Sequence, residues 1–214
     1  MAEHVVVLHG LGLNRYWMWG LAAHLKRQGY IVHNVSYPSR HRTCENIVDD
    51  VLKPLIGSIP SEKIHFVVHS MGGVLVRLYA EKHGAARIAR VVMLGTPNHG
   101  SEVADFLSSW RIFRYVFGDT GGEMLTKGGI TERLGPVAFD CGVIAGSNHW
   151  FHFPTSWIVR KMPIPNDGLV SVESTRVDGM KDHLILWSDH SLMVWHPSIW
   201  HQAAFFLKNG RFQR

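Results

Sequence analysis

The sequence has few cysteines and no concentrated basic run. Its two cysteines, Cys44 and Cys141, form no close-spaced motif, which argues against a disulfide framework and leaves at most one bridge. The net charge is +5 with histidine neutral, but lysine and arginine are scattered along the chain. We therefore do not expect nucleic-acid binding, whereas a basic surface would favour anionic membranes or acidic substrates.

Signals for export and for membrane insertion are missing from the given chain. The first residues, MAEHVVVLHG, enter a strand-like run at His4 without a basic region or a cleavage site. This favours a cytoplasmic product, while a leader trimmed beforehand would make it periplasmic or secreted. No apolar stretch has the length needed to span a bilayer.

Motifs for cofactors and metals are also lacking. The turn HGLGLN has neither the lysine of a phosphate-binding loop nor the spacing of a dinucleotide site. His149 and His152 have the spacing of two ligands on one helical turn, but no cysteine or carboxylate pair completes a site, and Pro154 follows at once. We expect no cofactor and no metal.

The residues that are present alternate between two hydrophobic periods. The chain has 214 residues, 46% of them hydrophobic and 18% charged, which indicates a single globular domain. Short β-branched runs predict buried strands at 4–8, 31–35, 64–68, 89–94, 140–145 and 183–187. Amphipathic stretches predict helices at 43–57, 71–83 and 198–208.

Strand-helix-strand alternation predicts an α/β fold. We expect a doubly wound, mostly parallel six-stranded sheet with helices on both faces. Thr43 is the expected N-cap of the helix at 43–57, which Pro54 should kink or shorten. Residues 98–137 interrupt the pattern and form the expected cap or lid, with an amphipathic helical face over 103–117, and 147–182 are a second irregular stretch.

A serine stands where the third strand gives way to a helix, in HFVVHSMGGVLV. Ser70 follows the carboxyl end of that strand, the edge at which parallel sheets bind ligands. The N–H of Met71 opens the helix and can face a developing oxyanion, while Gly72 and Gly73 let the helix approach the strand. The stretch predicts a nucleophile, with an ordinary glycine turn as the alternative.

A second turn follows the first strand, in VVVLHGLG. It lies at the same edge of the predicted sheet as Ser70. Gly10 allows a bend that aims the N–H of Leu11 inward as a second oxyanion donor. An ordinary turn between a strand and a helix is again the alternative.

HGLG followed by HSMGG resembles the α/β-hydrolase superfamily, and small bacterial lipases and esterases in particular. LGTPNHGSEVAD at 94–105 and PNDGLVSVEST at 165–175 resemble the same proteins, so the likeness runs from His4 to about Phe206. It implies a compact hydrolase fold that lacks the first two strands, and a catalytic triad in the chain order Ser, Asp, His. Val68 departs from the pattern, because the family usually has Gly or Ala two residues before the serine.

The resemblance implies Asp167 as the acid of the triad and His190 as its base. Asp167 lies in a Pro-Asn-Asp-Gly loop, and His190 stands between the last strand and the last helix. The competing aspartates begin strands, precede the last strand or adjoin the base: Asp140, Asp178, Asp182 and Asp189. Among the other histidines, His69 should point away from Ser70, and His99 and His149 come too early in the chain order.

These expectations together predict a serine hydrolase that cleaves carboxylic esters of lipids or medium-chain acyl groups. The residues expected to contact the substrate are His9, Gly10, His69, His99, Trp110 and Trp150. The partner is a small acyl ester, with transient contact to a membrane surface through the aromatic insertions and Arg111, Arg114, Arg160 and Lys161. A thioesterase or acyltransferase on the same triad, and a silent lipid- or partner-binding protein, are the alternatives.

Overall fold

A six-stranded parallel sheet lies at the centre of the computed structural model, which describes residues 2–108, 118–148 and 163–214. The described strands are β1 His4–Leu8, β2 Ile31–Val35, β3 Ile64–His69, β4 Ile88–Leu94, β5 Asp140–Gly146 and β6 Asp182–Leu186. Their order is β2-β1-β3-β4-β5-β6, and every neighbouring pair is parallel. The predicted fold class is confirmed, and the strand boundaries differ from the expected ones by one residue at most.

Helices cover both faces of this sheet. The described helices are α1 Trp19–Arg27, α2 Cys44–Ile47, α3 Lys53–Ser58, α4 Met71–His83, α5 Glu102–Ser108 and α6 Pro197–Asn209. Alternate residues of β3 point to opposite faces, so Phe66 and Val68 join the core under α4, while Val67 joins the core under α1 and α6. This two-sided burial explains why β3 is apolar almost throughout.

The helix predicted at 43–57 forms as three consecutive pieces. Thr43 caps α2, because its Oγ1 accepts a hydrogen bond of 3.2 Å from the N–H of Asn46. A π-helix, Val48–Leu52, then joins α2 to α3. Pro54 has no N–H to donate within the helix; it lies in the first turn of α3, directly after the wider π-helical turn.

The expected cap segment is tied to α4 by a buried arginine. Arg77 donates hydrogen bonds of 2.9 Å to the carbonyl of Asn98 and of 2.9 Å to the carbonyl of Leu134. Both ends of 98–137 are therefore anchored on one side chain. Between these ends lie α5 and two 3-10 helices, Asp119–Met124 and Ile130–Arg133.

Several expected features fall outside the described residues. They are the rest of the amphipathic face at 109–117, the contacts of Trp110 and Trp150, the histidines His149 and His152, and the basic residues Arg111, Arg114, Arg160 and Lys161. Within the described part of the chain, no helix is long and apolar enough to cross a membrane. Cys44 and Cys141 are both buried and free.

Candidate active site

Ser70 has a strained backbone at the junction of β3 and α4. Its φ of 52° and ψ of −123° make it the one non-glycine residue with positive φ among the residues described. The conformation is held by the N–H of Ser70, which donates to the carbonyl of Leu94 at 2.8 Å, and by the carbonyl of Ser70, which accepts from the N–H of Gly73 at 3.0 Å. Strain of this kind costs about 1–3 kcal/mol and persists only where the surroundings impose it.

The two glycines after Ser70 allow α4 to begin tightly against the sheet. A Cβ on Gly72 would lie 3.0 Å from the Cβ of Leu8, and a Cβ on Gly73 would lie 2.2 Å from the Oγ1 of Thr96. Neither position has room for a methyl group without displacement of its neighbours. Val68 is fully buried in the core under α4, so the turn accommodates the larger residue at the position where the family has Gly or Ala.

Ser70, His190 and Asp167 are joined by hydrogen bonds. His190 Nε2 lies 3.0 Å from Ser70 Oγ, and His190 Nδ1 lies 2.8 Å from Asp167 Oδ2. A carboxylate only accepts hydrogen bonds, so Nδ1 carries the proton and Nε2 is free to accept from the serine hydroxyl. A hydroxyl, an imidazole and a carboxylate in this relation can activate the serine as a nucleophile.

The carboxylate of Asp167 is fully buried and held by backbone donors. Its Oδ1 accepts hydrogen bonds from the N–H of Leu169 at 3.0 Å and of Val170 at 2.8 Å. The backbone carbonyl of Asp167 also accepts from the N–H of His190 at 2.9 Å. The loop therefore fixes both the carboxylate and the imidazole of His190 that it faces.

The competing aspartates are engaged elsewhere. Asp140 begins β5 and pairs with Lys181, and Asp182 begins β6 and pairs with Arg214, both at the amino ends of the strands. Asp178 precedes β6, where its backbone carbonyl accepts from the N–H of Val137. Asp189 turns its Oδ1 to the N–H groups of Ser191 and Leu192, at 2.9 Å each.

Two glycines that sequence reasoning missed make room for the Asp-His pair. A Cβ on Gly95, whose φ is 55°, would lie 3.1 Å from Asp167 Oδ2 and 3.1 Å from His190 Nδ1. A Cβ on Gly146 would lie 2.7 Å from the Cβ of Asp167. The motif LGTPNHG could have indicated the role of Gly95, because its glycine stands directly after the carboxyl end of β4. Nothing local in the sequence indicates the role of Gly146.

The two residues expected to supply N–H groups to an oxyanion are on the same cavity wall as Ser70. Leu11 and Met71 both line the cavity, together with Ser70 and His190. Met71 is the first residue of α4, so its N–H has no partner within the helix. Neither this N–H nor that of Leu11 donates to an acceptor among the described residues.

His9 supports the turn that carries Leu11 and does not line the cavity. Its Nδ1 lies 2.8 Å from the carbonyl of Gly10, its Nε2 accepts from the N–H of Tyr37 at 3.3 Å, and its ring stacks on that of Tyr37. Burial lowers the pKa of His9, which fits a neutral ring with both nitrogens in use. Gly10 lines the cavity as expected, and a Cβ there would lie 2.9 Å from Nδ1 of His69.

His69 and His99 differ in their relation to the cavity. The buried ring of His69 lines it, and its Nε2 lies 2.9 Å from the backbone carbonyl of His190. Burial, followed by the proximity of His190, lowers the pKa of His69 well below its usual value. His99 is exposed and does not belong to the described lining, because the turn at 97–100 points its side chain to solvent.

The cavity beside Ser70 is lined mostly by apolar groups and has a volume of about 120 Å³. Half of its lining residues come from Pro97 and from the two inserted segments, 98–137 and 147–182. These wall residues are Pro97, Ser101, Val103, Ala104, Gly121, Met124, Leu169 and Val170. No set of three His, Cys, Asp or Glu side chains within the described ranges could hold a metal ion.

The sequence model of the alpha/beta hydrolase fold family matches residues 3–125, more than half of the chain. The protein therefore belongs to this family. The match includes the turn at His9-Gly10 and the strand-to-helix turn at Ser70, the two turns that face the cavity.

Solved structures with the same fold include lipases and esterases. The Bacillus licheniformis lipase BlEst2 in mature form has a TM-score of 0.69 and 18% identity, with 90% of this chain and 86% of that chain covered. Phospholipase PlaB from Legionella pneumophila has a TM-score of 0.67 and 16% identity, over 82% of this chain and 45% of that chain. The metagenomic carboxyl esterase MGS0156 has a TM-score of 0.63 and 18% identity, over 98% and 74%.

Proposed function

We propose that this protein is a serine hydrolase that cleaves carboxylic esters through an acyl-enzyme intermediate. Ser70 is the nucleophile, His190 the general base and acid, and Asp167 the carboxylate that orients His190. The observation that carries the proposal is the hydrogen-bonded chain from Ser70 Oγ through His190 to the buried Asp167. The names of the lipases and esterases that share the fold support the same class of reaction.

Acylation begins when Ser70 Oγ attacks the carbonyl carbon of the ester. His190 Nε2 takes the hydroxyl proton as the new C–O bond forms. The carbonyl oxygen becomes an oxyanion, which accepts hydrogen bonds from the N–H groups of Leu11 and Met71, each worth about 2.7–4 kcal/mol in the transition state. The intermediate then expels the alcohol, which receives its proton from His190.

Deacylation repeats these steps with water as the nucleophile. His190 removes a proton from water, the resulting hydroxide attacks the acyl carbonyl, and the same two N–H groups stabilise the second oxyanion. Ser70 leaves with the proton from His190, and the carboxylic acid is released. Asp167 keeps the proton on Nδ1 throughout and stabilises the imidazolium that forms in each half of the reaction.

The cavity favours an uncharged acyl group of short to medium length. Its wall is apolar near Val103, Met124 and Val170, and its volume of about 120 Å³ is close to that of a cavity known to hold benzene. We therefore expect activity on a panel of chromogenic esters to be highest for short to medium acyl chains.

Covalent labelling and ester hydrolysis test the proposal together. A fluorophosphonate probe should label the wild type with one equivalent, and the Ser70→Ala variant should neither be labelled nor hydrolyse any ester of the panel. Ser58→Ala is the control, because Ser58 is exposed at the end of α3 and its hydroxyl donates to the carbonyl of Leu55. Folded wild-type protein that resists the probe and hydrolyses no ester would refute the proposal.

A further inference from the structure

Five apolar and aromatic side chains gather beside the cavity that contains Ser70. They come from two 3-10 helices, Arg15–Met18 and Leu192–Trp195, and from the start of α1. The exposed fractions are 68% for Tyr16, 58% for Trp19, 39% for Leu192 and 37% for Trp195. We call these four residues, with the half-buried Trp17, the aromatic surface.

The three tryptophans of the aromatic surface contact one another through Trp195. The rings of Trp17 and Trp195 meet edge to face at 5.7 Å, and those of Trp19 and Trp195 at 6.3 Å. Single exposed apolar side chains are ordinary, but exposed apolar side chains that pack together are typical of interaction sites. The tryptophan and tyrosine rings combine an apolar body with a polar N–H or O–H, the property that suits them to a boundary between lipid and water.

The aromatic surface adjoins the residues that line the cavity. Leu13 lines it two residues before the first 3-10 helix, and Ser191 lines it directly before the second. Trp17 links the two sides, because its Nε1 donates to the carbonyl of Ser191 at 3.2 Å. A layer in contact with this surface would therefore lie next to the entrance of the cavity.

The charges of the surrounding segments have one sign. The chain contains 17 acidic residues, but none lies in 4–44 or in 190–214, the segments that supply the aromatic surface. Arg15 lies over the ring of Tyr16 at 5.2 Å, and Arg40 approaches the neighbouring turn at Gly12. The nearest acid in the sequence, Asp189, is buried and directs its Oδ1 to backbone N–H groups. Aromatic rings bordered by basic residues complement an anionic lipid surface.

The geometry points to the aromatic surface as a docking site for an anionic lipid surface, with the cavity entrance turned toward the lipid. The rings of Tyr16, Trp19 and Trp195 enter the headgroup region, and Arg15 contacts the anionic headgroups. This role goes beyond ester hydrolysis, since binding to lipid requires neither Ser70 nor His190.

Co-sedimentation with vesicles tests the docking site. The wild type should bind vesicles of equimolar phosphatidylcholine and phosphatidylglycerol more tightly than vesicles of phosphatidylcholine alone, and added salt should weaken the difference. The double variant Tyr16→Ser/Trp19→Ser should lose binding by roughly tenfold or more, because both rings bury apolar area in the lipid. Arg15→Gln should reduce the anionic preference by about fivefold.

Trp187→Ser is the matched control. Trp187 is 74% exposed and directly follows β6, the strand at the end of the sheet opposite β2. This variant should bind vesicles within about twofold of the wild type. The docking proposal is refuted if the wild type does not bind anionic vesicles, or if the double variant binds them as tightly as the wild type does. It is also refuted if the wild type forms a dimer without lipid and the only effect of the double substitution is to dissociate that dimer.

Hydrolysis of a water-soluble short-chain ester separates this proposal from the proposed function. The double variant should hydrolyse that ester at the wild-type rate while it loses vesicle binding, which also shows that it is folded. A wild type that binds anionic vesicles but cleaves no ester would refute the hydrolase proposal and leave the docking site standing.

Discussion

Replacement of Asp167 by asparagine removes one negative charge without changing the shape of the side chain. Asp167 Oδ1 accepts from two backbone N–H groups, those of Leu169 and Val170. In the variant, the amide oxygen should take this position, so that the amide NH2 faces Nδ1 of His190. An NH2 group donates only, and Nδ1 must then accept. The proton moves to Nε2, which can no longer take the proton of Ser70.

The opposite orientation of the asparagine side chain would restore the proton on Nδ1 of His190 only at a large cost in free energy. It would leave the backbone N–H groups of Leu169 and Val170 facing an NH2, and each buried unsatisfied donor costs about 1–3 kcal/mol. The two together cost roughly 2–6 kcal/mol, and the charge that stabilises the imidazolium is lost as well. We therefore expect kcat/KM of Asp167→Asn to fall by about 10³–10⁴-fold, or about 4–5.5 kcal/mol of transition-state stabilisation.

Asp189→Asn is the matched control for this measurement. Asp189 is also buried beside His190, and its Oδ1 accepts from two backbone N–H groups. An asparagine can keep both hydrogen bonds without any effect on the proton of His190, so we expect a loss of only a few-fold. Hydrolysis of a chromogenic ester measures both variants, and urea unfolding verifies that they are folded. A loss under tenfold for Asp167→Asn, or equal losses for the two variants, would refute the assignment.

Two further predictions concern the packing around the site and its dependence on pH. Gly95→Ala should destabilise the fold by about 1–2 kcal/mol, because residue 95 has a left-handed backbone conformation. It should also reduce ester hydrolysis more than tenfold, because the new Cβ meets Asp167 and His190. The control Gly57→Ala, in α3 with open space around it, should instead stabilise the fold by about 0.5–1 kcal/mol. Urea unfolding and the ester assay decide, and an active, stable Gly95→Ala protein would contradict the prediction. The buried His69 has a lowered pKa in the folded state, so the unfolded chain binds its proton first, and stability should fall as the pH drops below about 6.5. Urea midpoints measured from pH 7.5 to pH 5 should show this loss of stability. His69→Gln should reduce the slope of the unfolding free energy against pH by at most about 1.4 kcal/mol per pH unit. An unchanged slope would mean that His69 does not titrate in this way.

Most of the fold follows from the periodicity of the sequence. Continuous apolar runs such as HVVVL and IHFVV predict strands buried on both faces, and the amphipathic stripe at 71–83 predicts α4 within a residue of its observed bounds. These patterns are local, because backbone geometry and solvent exposure repeat over two or 3.6 residues. The π-helix before Pro54 was not predicted, since the way in which a helix absorbs a missing hydrogen bond depends on what packs against it.

The residues of the candidate site were nominated from sequence motifs, but their contacts are a matter of tertiary structure. The turns at Gly10 and Ser70 come from different strands, and only the parallel order of β1, β3 and β4 puts them at one edge. The ring of His69 lies 4.9 Å from that of His190, and its Nε2 lies 2.9 Å from the backbone carbonyl of His190. Such contacts join residues far apart in the chain and leave no local pattern.

The sequence by itself determined the strands, the main helices and the position of the strand-to-helix turn, since each depends on neighbours along the chain. Tertiary structure alone decided that Gly95 and Gly146 leave room for Asp167, and that Arg77 holds both ends of the inserted segment. It also decided that aromatic residues of two distant 3-10 helices form one surface. The physical reason is that close packing and charge pairing act between residues brought together by the completed sheet.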